Sequence, residues 1–420
     1  MQSSAYLILA AYVLIQCLDY WLDYINIRYM KQQGLVIPPG FEGYIDGDLL
    51  KKTHAYTIEH NTVGLVESIA SNIITIVFLY GGLLALYASW ISSLSGSFII
   101  QGLLFFLLLS YAGSLLSIPF SLYNTFKIEN KYGFNTMTLK LWITDLIKST
   151  LISTVLMGIV MACGLWIIQK SPELWWFYVW SFFFIFSIFM MYISPYVIEP
   201  LFNKFTPLEG DILEERIKAM MQKTGIRVSR VFKIDASKRS HHTNAYFTGI
   251  GKTKRIVLYD TLLNKMDEDE VLAVLAHEGG HWKKKHVLKM LVVFEALSLV
   301  GAYIAFRVLR AGILAEIFGI QENTFFAELV ILSFVFSIVS FPFTPLFSAF
   351  SRKHEREADR FAVDLAPRPD ALATSLIKLS KDNLSNLHPH PLYAAFHYSH
   401  PPVVERVKKI NEMAEKGKEC

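Results

Sequence analysis

The sequence predicts an all-α-dominated, multi-pass membrane protein, in which seven transmembrane helices carry a small α+β domain on the cytosolic side. The first observation behind this prediction is composition: 53% of the 420 residues are hydrophobic, 18% are charged, and the mean hydropathy is +0.36. A soluble domain carries about 25% charged residues. The second observation is a series of long apolar runs, and the third is the alternation of basic residues between the segments that join them. Together these features indicate an integral membrane protein.

Seven apolar runs have the length that a bilayer demands of a helix, about 20 residues. The first run lacks a basic segment before it and a clear cleavage site after it, so we interpret it as a retained span and not as a signal peptide. The predicted spans are Ala5–Ile27, Val63–Trp90, Phe98–Tyr123, Ile147–Ile168, Leu174–Ile198, Val287–Leu309 and Phe325–Phe350.

The distribution of Lys and Arg predicts how these spans are oriented. The residues before the first span and the connector Ile91–Gly96 contain no Lys or Arg, whereas the alternate connectors and two long polar segments are basic. This alternation places the N-terminus outside and both polar segments in the cytosol. The chain then divides into the first five spans with their loops (1–202), a first polar segment (203–286), the last two spans (287–350) and a second polar segment (351–420).

Several ionisable residues fall inside the predicted spans. Glu67, Glu295 and Glu328 would be costly to expose to lipid, so they should face a protein interior or a water-filled space. A hydrogen bond between two helices explains any one of them as well as a cavity does. Taken together, they favour a polar lumen between the helices.

The two polar segments are predicted to form one discontinuous α+β domain. Ile212–Thr224 has helical periodicity, and Val228–Ile234 and Arg255–Tyr259 alternate like strands. A further helix is expected to begin after Asp267, a residue type that caps helices. Glu270 follows three positions later and can complete a capping box.

That last helix carries the sequence His277-Glu278-Gly279-Gly280-His281. Side chains four residues apart lie on one face of a helix, so the two histidines can bind one metal ion. Glu278 lies where a carboxylate can act as general base on a water at that ion. The alternative is a surface helix with two incidental histidines. The two glycines argue against it, since each costs about 1 kcal/mol in a helix interior relative to Ala and makes more sense where another backbone or a substrate packs close.

A catalytic zinc ion usually has three protein ligands and one water, so a third ligand must come from elsewhere. The helix that follows the seventh span offers Glu355, Glu357 and Asp359. Glu355 and Asp359 share a face, which suits a metal ligand and a carboxylate that orients a ligand histidine, whereas Glu357 points elsewhere. The alternative is a solvated, charged helix. His286 lies off the face of His281 and is interpreted as an interfacial histidine.

These residues resemble the type I CAAX prenyl protease family, which are intramembrane zinc endopeptidases that remove the last three residues of prenylated CAAX proteins. The resemblance extends beyond the metal motif and runs in order along nearly the whole chain. The departure is Gly279, where the family usually has a bulky aliphatic residue or Phe, so packing behind the motif or the width of the pocket should differ. The further matching blocks are Phe126–Asn135, Ile198–Asn203, Ser240–Phe247, Lys254–Leu263, and Tyr398–Pro402 with Glu405 and Arg406.

The resemblance implies both a fold and a site. The seven helices would enclose a large, water-filled intramembrane chamber, capped on the cytosolic side by a zinc-metalloprotease domain that holds one Zn²⁺ per chain. The implied roles are metal ligand for His277, His281 and Glu355, catalytic residue for Glu278 and His400, orienting carboxylate for Asp359, and substrate binding for Asn244, Ala245, Tyr246 and Arg406.

The expected partners are a peptide or protein with a CAAX-like C-terminus, with or without an isoprenyl group, and the lipid bilayer. No Lys/Arg tract interleaved with aromatic residues suggests nucleic acid. We expect a monomer, in the inner membrane if the source is bacterial, which the chain length and tail favour, or in the endoplasmic reticulum if it is eukaryotic. Two alternatives stay open: a quality-control zinc protease with no prenyl requirement, and a non-enzymatic transporter with a structural zinc.

Overall fold

The computed structural model describes residues 3–208, 210, 212–248, 253–320, 325–366, 368 and 370–416. Within these residues, seven helices are long and apolar enough to cross a membrane, which confirms the predicted number. Residues 417–420 of the predicted second polar segment lie outside the described part of the chain. The seven spans are Ser3–Gln33, Gly47–Tyr80, Phe98–Tyr132, Leu139–Lys170, Trp175–Phe202, His286–Arg310 and Phe325–Leu365.

The second span differs from its prediction, because Val63–Trp90 has the wrong bounds. The helix begins at Gly47, where the side chain of Asp46 accepts a hydrogen bond from the Leu49 N–H, and it ends at Tyr80. Gly82 then has a φ of 81°, a left-handed conformation that glycine adopts without steric cost and that ends the helix. A separate apolar helix, Leu83–Leu94, follows, so hydropathy alone merges two helices into one run.

Three of the spans change their helical form near the α+β domain or at a proline. The third is α-helical over Phe98–Tyr123, π-helical over Asn124–Glu129 and α-helical again over Asn130–Tyr132. The fifth consists of Trp175–Val197 and the short helix Glu199–Phe202. The seventh consists of Phe325–Ser340, the 3₁₀ turn Phe341–Phe343 and Thr344–Leu365, which we call the carboxylate helix.

A four-stranded sheet lies in the first polar segment. Its order is β1-β2-β4-β3, with β2 and β4 parallel and the other two pairings antiparallel, so β3 forms one edge of the described sheet. The predicted strands Val228–Ile234 and Arg255–Tyr259 are confirmed as parts of β2 and β4. The strands are β1 (Phe205–Pro207), β2 (Arg227–Ile234), β3 (Ala245–Thr248) and β4 (Thr253–Tyr259).

The α+β domain has a hydrophobic core to which distant parts of the sequence contribute. Leu272 and Leu275 from one helix meet Ile217 from another, Phe41 from the connector after the first span, and Ile410 from the tail. The domain is therefore discontinuous in sequence. Its helices are Ile212–Lys223, the 3₁₀ turn Ala236–Lys238, Asp260–Leu263, Glu268–Lys283, Ala371–Asp382, Pro391–His397 and Val403–Lys416, while Ile313–Phe318 lies between the sixth and seventh spans.

Candidate metal centre

The helix Glu268–Lys283, which we call the metal-motif helix, is fixed at its start by the predicted capping box. Asp267 Oδ1 accepts a hydrogen bond from the Glu270 N–H, and Glu270 Oε2 accepts one from the Asp267 N–H, each at 2.9 Å. Glu270 is buried, and its Oε2 also receives a hydrogen bond from Lys378 Nζ at 2.7 Å. These contacts fix the rotation of the helix about its axis, and hence the direction in which His277 and His281 point.

The metal-motif helix crosses the carboxylate helix at Gly280. A Cβ at this position would lie 3.0 Å from the Ala358 Cα and 3.2 Å from its carbonyl oxygen, so only glycine allows the two backbones this separation. Gly279 faces the other way, where a Cβ would lie 3.3 Å from the Met221 sulfur, the end of a flexible side chain. The glycine that departs from the family pattern is thus covered by Met221 and Ile226 and lies behind the motif.

Three predicted ligands converge where the two helices cross. His277 Nε2 lies 3.3 Å from Glu355 Oε2, His281 Nε2 lies 3.2 Å from Glu355 Oε1, and the two Nε2 atoms are 3.2 Å apart. Within the described residues, these three side chains form a group whose ligand atoms all lie within 4.8 Å of one another. His277 and Glu355 are buried, and His281 is partly exposed.

The contacts behind His277 show that this group suits a cation. His277 Nδ1 lies 2.9 Å from Asp359 Oδ1, so Nδ1 donates a proton to the carboxylate, and Nε2 presents a lone pair to the ligand group whenever it carries no proton. Burial would lower the pKa of His277, but hydrogen bonds to Asp359 and Glu355 outweigh it and raise the pKa to about 9. Among the described residues, no side chain makes a well-aligned hydrogen bond to buried Glu355 Oε2, although His277 Nε2 lies 3.3 Å from it. Lone pairs that converge this closely require a proton or a metal ion between them, so the donor set fits a metal.

Glu278 and His400 lie beside the same group. Burial raises the pKa of the Glu278 carboxyl, while the nearby rings of His277 and His281 oppose that shift. A raised pKa suits a carboxylate that takes a proton near neutral pH. His400 Nε2 lies 3.3 Å from Glu355 Oε1, and its Nδ1 is 2.9 Å from Ser399 Oγ. Its side chain is 61% exposed, so a ligand could reach it.

The predicted substrate-binding residues Asn244, Ala245 and Tyr246 lie at the start of the edge strand β3. The Tyr259 N–H donates to the Asn244 carbonyl at 3.1 Å, so antiparallel alternation turns the backbone of Ala245 toward the open edge. The Ala245 N–H donates to the side-chain Oδ1 of Asn244 at 2.8 Å. The Tyr246 hydroxyl donates to Glu199 Oε2 at 2.6 Å, which ties the strand to the end of the fifth span.

Arg406, for which substrate binding stays a prediction, lies at the metal centre and contacts two of its carboxylates. Its Nε and Nη2 donate to the two oxygens of Asp359 at 2.9 and 2.6 Å, and its Nη1 lies 3.7 Å from Glu355 Oε2. The side chain is only 10% exposed. The guanidinium is committed to the carboxylates of the centre, where it holds Asp359 against His277.

Sequence reasoning missed two groups of contacts. It placed His286 at the membrane interface and Glu357 elsewhere, yet His286 Nδ1 lies 3.2 Å from His281 Nδ1 and its Nε2 lies 3.1 Å from Glu357 Oε2. The signal was Lys284-Lys285, since Lys285 adopts a φ of 57° and breaks the helical period on which the prediction relied. Sequence reasoning also missed Glu129, which lies on the third span and places its Oε2 3.1 Å from His242 Nε2.

Comparison with known proteins agrees with this geometry. Residues 26–204 match the family described as CAAX prenyl protease N-terminal, five membrane helices, and residues 207–414 match peptidase family M48. The two matches divide the chain where the fifth span gives way to the sheet.

Similar proteins extend over nearly the whole chain. A CAAX prenyl protease 1 homolog of Arabidopsis thaliana is 35% identical, over 92% of this chain and 93% of its own. CAAX prenyl protease 1 of Saccharomyces cerevisiae is 36% identical, over 94% and 93%. The crystal structure of S. mikatae Ste24p superposes with a TM-score of 0.91 at 31% identity, covering 98% of this chain and all of that one. The chain therefore belongs to peptidase family M48, in its CAAX prenyl protease branch, and is a multi-pass membrane metalloprotease.

Proposed function

We propose that this chain is a zinc endopeptidase that removes the aaX tripeptide from proteins with a CAAX-type C-terminus. The observation that carries the proposal is the convergence of His277, His281 and Glu355 around a helix that also carries Glu278. The related proteins named CAAX prenyl protease support the choice of substrate.

In this proposal His277, His281 and Glu355 hold one zinc ion per chain. Two imidazoles and a carboxylate, with a fourth position left for water, form a donor set found in catalytic zinc sites. Bound there, zinc would act as a Lewis acid that polarises the scissile carbonyl and makes water more acidic. Asp359 accepts the Nδ1 proton of His277 and so keeps the Nε2 lone pair directed at the ligand group.

The proton transfers fall to Glu278. Its carboxylate takes a proton from the attacking water as the oxygen bonds to the scissile carbonyl carbon. When the carbon–nitrogen bond breaks, Glu278 returns that proton to the leaving amine, so the charge balance is restored in each turnover. The environment that raises the pKa of Glu278 brings it nearer to neutrality, where one group can perform both transfers. The imidazole of His400 can donate to the carbonyl oxygen as negative charge develops on it.

The substrate is proposed to bind as an extended strand beside β3. The open edge offers the backbone of Ala245, and the Asn244 side chain that now accepts from it would be displaced by a substrate carbonyl. A cavity of about 480 Å³ adjoins the site, and His400, Tyr398 and Leu379 are among the residues that line it. It offers room for substrate residues beside the scissile bond, while any isoprenyl group would lie among the apolar spans.

We further propose that the N-terminus lies outside and the catalytic domain in the cytosol, of a bacterial inner membrane or the endoplasmic reticulum. The alternation of basic connectors supports this orientation. The protein is proposed to work as a monomer, because one chain contributes all three ligands. Protease protection of terminal tags in sealed vesicles tests the orientation.

The decisive test compares wild type with Glu278→Gln on matched CAAX peptides, one prenylated and one not. We expect Glu278→Gln to retain zinc, as measured by elemental analysis. Its turnover should fall by about 10²- to 10⁴-fold, the range for removing a general base. His281→Ala and Glu355→Ala should instead lose the metal. Normal turnover by metal-replete Glu278→Gln would exclude the assigned role. Equal cleavage of both peptides and of unrelated sequences would favour the quality-control alternative over CAAX processing.

A further inference from the structure

The two histidines of the metal centre differ in what lies behind them. His277 contacts a carboxylate directly, through its Nδ1 and Asp359 Oδ1. His281 has another imidazole in the corresponding place, because its Nδ1 lies 3.2 Å from His286 Nδ1. His286 in turn places its Nε2 3.1 Å from Glu357 Oε2.

The proton positions in this chain follow from the direction of His281. Its Nε2 faces Glu355 and the ligand group, so the proton of the neutral ring must lie on Nδ1. His286 Nδ1 then accepts that proton's hydrogen bond and carries none itself. The His286 proton lies on Nε2, which donates to Glu357 Oε2. The two hydrogen bonds thus run in one direction: His281 donates to His286, and His286 donates to the carboxylate of Glu357.

His286 is held rigidly enough to act in this way. It is the first residue of the sixth span, directly after Lys285 in its left-handed conformation, and its side chain is only 3% exposed. Its ring stacks on the ring of His354, with centroids 4.1 Å apart and planes 10° from parallel. His354 precedes Glu355 on the carboxylate helix. The His286 ring is therefore packed between the two elements that supply the ligands.

We propose that His286, supported by Glu357, is a positioning residue that fixes the tautomer and ring direction of His281. The inference rests on the proposed function of His281 as a metal ligand. It assigns to the sixth span a part in the centre, since the span begins with the residue that orients this ligand. Partners of this kind typically change metal affinity by 10- to 100-fold when they are removed.

The test uses a pair of substitutions at His286 in the full chain, purified in detergent and loaded with Zn²⁺ or Co²⁺. His286→Phe keeps a planar ring against His354 but offers no acceptor, so we expect metal affinity, measured by chelator competition, to fall 10- to 100-fold. His286→Asn offers its Oδ1 near the position of Nδ1, so we expect affinity within a few-fold of wild type. The absorption bands of bound Co²⁺ should shift in the Phe variant and return in the Asn variant.

Glu357→Gln and Glu357→Ala extend the test to the far end of the chain, where 36% of the side chain is exposed and folding should survive. The Gln variant keeps an acceptor for His286 and should stay near wild type, whereas the Ala variant should lose several-fold in affinity. Equal affinity in the Phe and Asn variants would overturn the proposal. Failure of wild type itself to bind the metal would instead contradict the proposed function, so the two failures can be told apart.

Discussion

The catalytic domain and the membrane spans are packed in different ways. In the metal-motif helix, nine of the 16 residues are buried, including His277 and both glycines of the motif. In the sixth span, which follows almost at once, only His286 and Phe306 of 25 residues are buried. Dense packing holds side chains at fixed distances, as a metal centre requires. The spans instead leave most of their surface to lipid or to an interior space.

The spans are packed together mainly at the end far from the metal. A cluster of buried side chains joins Tyr12, Leu84, Phe105, Leu165 and Phe326, all near the non-catalytic ends of their helices. In an 18-residue apolar window of each span, no more than 17% of the residues are buried. The intramembrane chamber stays a prediction, but packing at both ends with little between them is the arrangement that such a chamber requires.

The largest expected effect is that of Gly280→Ala, which tests how tightly the catalytic domain is packed where the metal-motif helix crosses the carboxylate helix. The new methyl group would meet the Ala358 backbone at 3.0 Å and Phe361 Cβ at 3.2 Å, neither of which can rotate away. We expect a loss of about 1–3 kcal/mol in stability, as for other overpacked cores, despite the better helix propensity of Ala. Metal affinity should also fall, because Glu355 would be displaced from the histidines. Thermal unfolding and elemental analysis measure the two effects.

Gly279→Ala is the matched control. Its methyl group would meet the thioether of Met221 at 3.3 Å, which can move by a few tenths of an ångström, and Ile226 Cδ1 at an ordinary 3.8 Å. Removing a glycine from a helix interior should then stabilise the protein by up to about 1 kcal/mol. If both variants bind metal and melt as the wild type does, the close crossing at Gly280 is not what holds the centre together.

The next effect concerns the stability that the catalytic domain loses by burying the carboxylate of Glu278. Burial raises the pKa of Glu278 in the folded state above its value in the unfolded state. Between these two pKa values the native state binds more protons than the unfolded state, so stability falls as pH rises through that range. Glu278→Gln removes this loss. In metal-free protein, we expect the variant to melt above wild type, by an amount that grows with pH from the ordinary Glu pKa and levels off above the raised one. A variant that melts lower at neutral pH would contradict this.

How far sequence predicted these features depended on the kind of interaction involved. The number of spans and the shared helix face of His277 and His281 follow from local periodicity, which a sequence displays. Glu355 lies on a different helix, and its assignment rested on the need for a third ligand and on the resemblance to a known family. The end of the second span was missed because Gly81 and Gly82 interrupt the backbone without interrupting hydropathy. The Arg406–Asp359 pair and the contact of His286 with His281 join elements through the tertiary fold, and no local pattern encodes them.

A smaller effect on stability is expected where the catalytic domain meets the membrane spans. His242, just before β3, places its Nε2 3.1 Å from Glu129 Oε2 on the third span and its Nδ1 2.9 Å from Asn383 Oδ1. The hydrogen bond to Glu129, supported by the one to Asn383, raises the pKa of His242. This contribution is full below the usual His pKa of about 6.5 and is lost as pH rises through the raised value.

Glu129→Gln tests that junction. It should flatten the decline in stability as pH rises above the usual His pKa of about 6.5, with a total change below about 1 kcal/mol because His242 is partly exposed. His60 and Tyr56 also bond Glu129, so His60→Gln is the control for their share. An unchanged pH slope in Glu129→Gln would mean that the contact contributes nothing to holding the halves together.

The smallest loss of stability is expected in the membrane spans, from Gly158→Ala in the fourth span. A Cβ at Gly158 meets no atom within 4 Å among the described residues, in contrast to Gly280. The added methyl group should therefore cause no loss of stability or of metal content, and any change should be a gain of at most about 1 kcal/mol from the helix propensity of Ala, as at Gly279. The same glycine-to-alanine change thus reports on packing density in the catalytic domain at Gly280 and in the membrane spans at Gly158. A loss at Gly158 as large as that at Gly280 would show that the spans are packed as tightly as the catalytic core, and would leave no room for a chamber between them.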